Sequence, residues 1–273
     1  MKIGIYHIHE SNGPGKVVLN LKKGLEQIGI DYLNNEDGDV NIILQECDRL
    51  YHDVSNCFVG PNVCVIPSQN TVIMGANYKK TIVPSEWVKN LYLKWLPSSL
   101  IEIWPAGIDT DFFSDKSNDN KEYDFLIYFK RRNQDELNFI TTFLNNSNLN
   151  YVIINYGDYS EEIFLDSISK SKRGIVIDSS ESQGIAIEEM MSCNLPLLVW
   201  DVKKWEDMGV NNSCESTSIP YWDETCGEYF FNKDEFLEKF KKFMSCDTYR
   251  PRNYILENLS LSKSAEILSK IIN

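Results

Sequence analysis

Basic residues are scarce in this sequence: 27 Lys and Arg stand against 40 Asp and Glu, so 273 residues carry a net charge of −13. The deficit argues against nucleic acid as a partner, because a phosphate backbone is held by a basic field. It argues equally against broad attraction to anionic lipid. Long apolar runs are also missing. No stretch approaches the roughly 18 residues of a membrane span, so no integral membrane segment is expected. The opening MKIGIYHIHESNGPGK lacks the longer apolar region and small-residue cleavage site of a signal peptide, and reads as a first buried strand. Seven cysteines (Cys47, Cys57, Cys64, Cys193, Cys214, Cys226, Cys246) form no C-x-x-C pair and have no histidines at metal-site spacing. An odd number cannot make a complete disulfide framework within one chain, and a reducing, cytoplasmic setting is the expectation. What the chain does have is 42% hydrophobic residues, 12% of all residues being aromatic, which suits an ordinary packed core. In so acidic a protein, an anionic ligand has to be caught by a local basic spot.

Short apolar runs alternate with helical patterns. Strands are predicted at 2–8, 40–44, 63–66, 81–83 and 101–104, with a helix over 16–28, where Val17, Val18, Leu21, Leu25 and Ile28 share one face. Pro84-Ser85 precedes a second helix running through Trp95, with Ser85 as its N-cap. The wholly polar SDKSNDNK at 114–121 is the best linker in the chain. Beyond it the alternation is cleaner: strands at 123–129, 151–155, 174–177 and 195–200, and helices at 134–144, 161–169 and 184–193. Closing helices are predicted at 235–243 and 251–272. This pattern indicates βαβ units on parallel sheets. The expected organisation is α/β: an N-terminal Rossmann-like domain over 1–116, a C-terminal one over 117–250, and a helix over 251–273 that packs back on the first. Ligands of such sheets bind beyond the carboxyl ends of the strands, so chemistry is sought in a cleft between the domains.

The most informative stretch is Ser179-Ser180-Glu181-Ser182-Gln183-Gly184-Ile185-Ala186-Ile187-Glu188-Glu189. Glu181 falls at the carboxyl end of an apolar strand, Gly184 opens a helix, and Glu189 sits in its early turns. Backbone N–H groups of Ser182, Gln183, Gly184 and Ile185, aided by the helix dipole, can accept a diphosphate. The two carboxylates can then grip hydroxyls on either side of it. A plainer reading has Glu181 capping the helix and Glu189 solvated on its surface, with Glu188, which interrupts the apolar run, suited to the solvated position. Lys130-Arg131-Arg132 ends another strand. Such a cluster can neutralise a diphosphate and the charge that builds on it as a leaving group; as a bare charge run it could equally be a solvated turn. Gly13 and Gly15 follow the first strand and permit close backbone approach, but Val18 occupies the third slot of G-x-G-x-x-G. Tyr156-Gly157 closes a further strand and could border a nucleobase, although packing explains an aromatic ring at a turn as well. Asp109-Thr110-Asp111 spells D-x-D but sits where Asp is an ordinary turn former. His7 and His9 share a face without a third ligand, and Asp201 is most simply a loop cap. No metal is expected.

Glu181 to Glu189, with Gly184 in place and Asn194-Leu195-Pro196-Leu197 after the helix, resembles the E-x7-E donor-site motif of the family 4 retaining glycosyltransferases. Three stretches agree with that family in order: Gly13-Pro14-Gly15-Lys16, Val83-Pro84-Ser85-Glu86-Trp87, and Pro105-Ala106-Gly107-Ile108-Asp109 with Phe112. Ala106 stands where the family usually has Asn, Gln183 replaces the Phe of its E-x-F-G form, and His52 is nearest by order to its first-domain histidine. The resemblance implies the GT-B fold and transfer of a sugar from a nucleotide-diphosphate sugar to the hydroxyl of a glycan or other acceptor, with retention. The nucleotide sugar would be a co-substrate, with no cofactor. Glu181, Lys130 and Arg132 would be catalytic. Gly13, Gly15, Arg131, Ser182, Gln183, Gly184, Ile185, Glu189, Tyr156 and Gly157 would hold the donor. A nucleotide-sugar epimerase of the same fold and a non-catalytic nucleotide-sugar- or glycan-binding subunit are the alternatives.

Overall fold

In the computed structural model, which describes residues 1–115, 121–206 and 213–273, the chain divides into two compact units. Unit 1 comprises Met1–Asp109 together with Asn258–Asn273; unit 2 is Thr110–Glu257. The predicted linker at 114–121 lies largely outside the described residues.

Unit 1 is built on strands β1 (Ile3–Tyr6), β2 (Tyr32–Asn34), β3 (Val40–Gln45), β4 (Cys57–Asn62), β5 (Lys80–Val83) and β6 (Ile101–Ile103). They form one parallel sheet in the order β2-β1-β3-β4-β5-β6. Its first segment carries the helices α1 (Asn12–Gln27), α2 (Thr71–Gly75) and α3 (Glu86–Tyr92). Every residue of β1 and β3 is buried, as strands covered on both faces require. The strand predicted at 63–66 is instead β4, six residues earlier. Gly60-Pro61 breaks the strand pattern there, and Pro61, which lacks an N–H, falls at an irregularity in the β3–β4 register. The helix predicted through Trp95 ends at Tyr92.

Unit 2 carries β7 (Tyr123–Lys130), β8 (Tyr151–Asn155), β9 (Ser171–Asp178), β10 (Leu197–Trp200) and, after the small antiparallel pair β11 (Lys204–Glu206) and β12 (Ser213–Glu215), β13 (Gly227–Phe230). Its main sheet is parallel, in the order β13-β10-β9-β7-β8. Helices α4 (Gln134–Asn146), α5 (Glu161–Ser169), α6 (Ile185–Ser192) and α7 (Lys233–Ser245) flank it. An aromatic-rich core that includes Phe125, Trp200, Phe230, Phe236, Phe240 and Phe243 packs α4 and α7 on one face. Asn133 caps α4 with a complete capping box: its side chain accepts from Asp135 N, and Glu136 accepts from Asn133 N.

The single closing helix predicted over 251–272 is two, α8 (Pro251–Asn258) and α9 (Leu261–Ile272), separated by Leu259-Ser260. That break returns the chain to unit 1. Ile108 N donates to Leu259 O at 2.7 Å, Trp104 Nε1 to Ser264 O at 2.9 Å, and Ser264 Oγ to Pro105 O at 2.7 Å. Two glycines make room. A Cβ on Gly24 of α1 would stand 2.5 Å from Leu261 O, and one on Gly107 would stand 2.8 Å from Leu261 Cα. The Pro105–Asp109 run is thus the seat of α9. No helix among the described residues is long and apolar enough to cross a membrane.

Candidate functional site

Parallel pairing brings the carboxyl ends of β7, β9 and β10 to one edge of unit 2, and the loops leaving them carry most of the residues singled out in the sequence. Lys130, the last residue of β7, extends its ammonium to Glu181 Oε1 in the loop after β9. Both side chains are largely covered, at 11% and 16% exposure. The same ammonium lies 4.4 Å from the centroid of the Tyr156 ring, and the Arg131 guanidinium lies 5.6 Å from it. Tyr156 reaches this place because its N–H donates to Phe129 O at 3.0 Å, beyond the end of β8. Gly157, at φ +91°, turns the chain away. Tyr156 therefore presents an exposed ring with two cations over it. Arg131 itself adopts φ +50°, an uncommon conformation for a residue with a Cβ. It leaves the guanidinium side of the turn exposed.

Arg132 is placed differently. Its Nε donates to Glu136 Oε2 at 2.7 Å, its Nη2 to Glu136 Oε1, and its Nη1 to the strand-end carbonyls of Asp178 and Trp200 at 2.8 and 3.1 Å. The guanidinium stacks 5.6 Å from the Trp200 ring. It ties the α4 capping box to β9 and β10.

Gly184 takes up φ +88°, ψ +33° as the residue before α6, a left-handed geometry that glycine adopts at no steric cost. The loop before it is held from outside. Glu181 N donates to Thr217 O at 3.0 Å, and Asp201 fixes Thr217 and Ser218 in turn. Asp201 accepts from Thr217 Oγ1 at 2.9 Å, Ser218 N at 2.7 Å and Ser218 Oγ at 2.8 Å. It also accepts from Val202 N at 2.7 Å. Asp201 is more than a loop cap, since it positions the strap against which the Glu181 loop leans. Ser182 is exposed, and Ile185 is half-buried.

The two glutamates of α6 do not occupy the solvated positions that the plainer reading gave them. Glu188 is 2% exposed and Glu189 3%. Gln183 Nε2 donates to both oxygens of Glu188, at 2.9 and 3.1 Å. Gln183 and Glu188 thus form a buried polar pair, which is why a carboxyl can sit on the apolar face of the helix. Burial, assisted by the charges of Glu189 and Glu181, pushes the Glu188 carboxyl well above the usual range despite that bond.

Sequence reasoning passed over Asp178, the last residue of β9, which is 1% exposed and pairs in register with Lys130. Its Oδ1 accepts from Ser179 N at 2.7 Å, while Oδ2 is buried with no hydrogen-bond partner among the described residues. Burial and then the Glu181 charge hold this carboxyl well above the usual range, against the pull of Lys130. The available signal was the shared ending of two apolar runs, Val176-Ile177-Asp178 and Val199-Trp200-Asp201.

Gly13 and Gly15 belong to unit 1, in the first turn of α1. A Cβ on Gly15 would overlap the Glu10 backbone at 2.2 Å, so that glycine serves the loop's own fold, whereas Gly13 is open. His7 lies beyond the end of β1. Its side chain is nine-tenths buried, Lys22 Nζ stands 3.1 Å from its Nε2, and Lys22 also pairs with Glu10. A cavity of about 680 Å³ at this sheet's carboxyl edge is lined by Tyr6, His7, Glu46, Arg49, Tyr51 and His52, among others. Among the described residues no group of three or more His, Cys, Asp or Glu is placed to hold a metal ion.

No family model matches the chain, and no curated protein sequence matches it. Solved structures match along its whole length. A lipopolysaccharide outer core galactosyltransferase, WaaB, in its apo form superposes with a TM-score of 0.64 at 10% identity, covering 100% of this chain and 99% of the other. AviGT4, a glycosyltransferase involved in avilamycin A biosynthesis, gives 0.63 at 9%, covering 100% and 97%. The UDP-GlcNAc 2-epimerase from Methanocaldococcus jannaschii gives 0.53 at 11%, covering 100% and 99%. Identities this low speak for the fold alone, which is GT-B with two Rossmann-like domains.

Proposed function

We propose that the protein is a glycosyltransferase that moves a sugar from a nucleotide-diphosphate sugar to an acceptor hydroxyl with retention of configuration. The observation that carries this reading is the Lys130–Glu181 pair at the edge of the unit 2 sheet, beside the left-handed Gly184 that opens α6. Strand ends and a helix start converge there as a diphosphate requires. In the proposed reaction Lys130 turns from Glu181 to the diphosphate, and Arg131 approaches it from the exposed turn. The first N–H groups of α6 complete the cradle. These donors stabilise the negative charge that develops as the sugar–phosphate bond breaks, so the reading calls on no metal and no cofactor. Glu181, released from Lys130, grips hydroxyls of the transferring sugar near the reacting carbon, and Glu189 is assigned to the ribose. Arg132 braces the strand ends beneath.

A thermal-shift screen against nucleotide sugars tests the reading first, since a ligand at 100 times its dissociation constant adds about 2.7 kcal/mol. Turnover that disappears in Glu181→Ala while donor binding persists supports it; no shift with any nucleotide sugar overturns it. The likeness to an epimerase structure favours one second reading, in which free nucleotide and altered sugar form without an acceptor. Product analysis with acceptor omitted separates the two. Binding without turnover across a broad acceptor panel would identify a non-catalytic subunit.

A further inference from the structure

Asp178 is a buried carboxyl that the proposed chemistry does not use. Two hydrogen bonds hold it, Arg132 Nη1 donating to its carbonyl at 2.8 Å and Ser179 N to its Oδ1 at 2.7 Å, and the β7–β9 register sets it beside Lys130. Its Oδ2 is left buried and, among the described residues, without a hydrogen-bond partner. Residues paired across a parallel ladder project to the same face, so Asp178 and Lys130 share one face of the sheet. The groups facing the carboxyl are Lys130 and Arg131 from the end of β7, Glu181 from the following loop, and the Tyr128 hydroxyl lower on β7 with Tyr159 beyond it. Two carboxyls therefore compete for one ammonium, and Glu181 holds it.

We propose that Asp178 is a positioning residue for Lys130, whose buried Oδ2 decides whether that ammonium is free to turn to a diphosphate or is held at the sheet edge. The inference rests on the donor-site reading and deepens it. A bare carboxylate oxygen in a dry site is costly unless it is neutralised. A proton on Oδ2 removes that cost and leaves Lys130 to Glu181 or to a ligand. Loss of the proton creates a second anion that draws Lys130 back and repels incoming phosphate oxygens. Burial and the neighbouring Glu181 both favour the protonated form. A diphosphate arriving nearby adds negative charge, so ligand and proton support one another by linkage.

The probe is inorganic pyrophosphate, which needs no knowledge of base or sugar. Its affinity is measured by calorimetry for the native chain and for Asp178→Asn between about pH 6 and about pH 9. Pyrophosphate's own titration is common to both proteins and cancels in the ratio. The two should bind within about twofold at the acid end, and Asp178→Asn should bind about fivefold or more tightly at the alkaline end. A ratio constant across the range overturns the proposal, because a merely structural role would weaken both ends alike. The native protein supplies an independent readout: carboxyl-carbon NMR should place the Asp178 titration at higher pH with saturating pyrophosphate than without it. An unmoved titration overturns the proposal even if the asparagine variant does not fold. If the native chain binds no pyrophosphate at any pH, or Lys130→Ala binds it unchanged, the donor-site reading itself falls and takes this inference with it.

Discussion

Arg132 gives its donors to Glu136 and to the carbonyls of Asp178 and Trp200, whereas Arg131 stands exposed at φ +50° with its guanidinium over Tyr156. Truncating the two should therefore move different observables. Arg132→Ala strips partners from a half-buried carboxylate and two strand ends, and is expected to cost about 1.5–3 kcal/mol of stability, read as a lowered urea midpoint. Arg131→Ala should leave the midpoint nearly unchanged and weaken nucleoside diphosphate binding, read by calorimetry. Glu188 yields a pH prediction. Its carboxyl titrates higher in the folded chain than the usual value near 4.3, so the folded state keeps a proton that the unfolded state has released. Its favourable contribution is complete below the unfolded value and is lost as pH rises through the folded one. Relative to Glu188→Gln, the native chain's urea midpoint should fall as the buffer is taken from about pH 5 to about pH 8. Parallel curves for the two proteins would contradict this.

At the level of elements, the seat of α9 is set by close backbone approach. Gly24→Ala gains intrinsic helix propensity, about 1 kcal/mol, but drives a methyl group to 2.5 Å from Leu261 O. Overpacking of that kind costs about 1–3 kcal/mol, so a net loss of stability and faster proteolysis near residues 258–273 are expected. Elements differed in how far they could be read in advance. Strands β7 to β10 were legible because each is a compact apolar run stopped by polar residues. Strand β4 was not, since Gly60-Pro61 breaks its pattern. Nor were β2, a three-residue edge strand partly open to solvent, and β13, a four-residue edge strand whose run Gly-Glu-Tyr-Phe places a buried Glu228 and an exposed Tyr229 side by side and so shows no apolar stretch. The break between α8 and α9 was hidden because apolar residues continue through it at Ile255, Leu259 and Leu261. Within the candidate site, the Glu181 loop and the Lys130 cluster could be seen as local patterns. The parts played by Asp178, Asp201 and Arg132 could not, because each depends on partners supplied by a different strand or loop.

On the scale of the whole molecule, unit 2 is one continuous segment, Thr110–Glu257, while unit 1 is assembled from two pieces. A fragment spanning 110–257 should unfold cooperatively and retain nucleoside diphosphate binding. Residues 1–109 should show a native-like transition only when a peptide covering 258–273 is added, because Gly24 and Gly107 otherwise face solvent across an open apolar seam. Circular dichroism melts of the fragments, separate and mixed, check both outcomes. The same arrangement has a bearing on biosynthesis. The stretch that seals the first unit emerges from the ribosome only after all of Thr110–Glu257 has been made. At typical elongation rates that delay is roughly seven to thirty seconds. For that interval the seat formed by Gly24 of α1 and Gly107 stays uncovered, while the later-made unit can finish folding first.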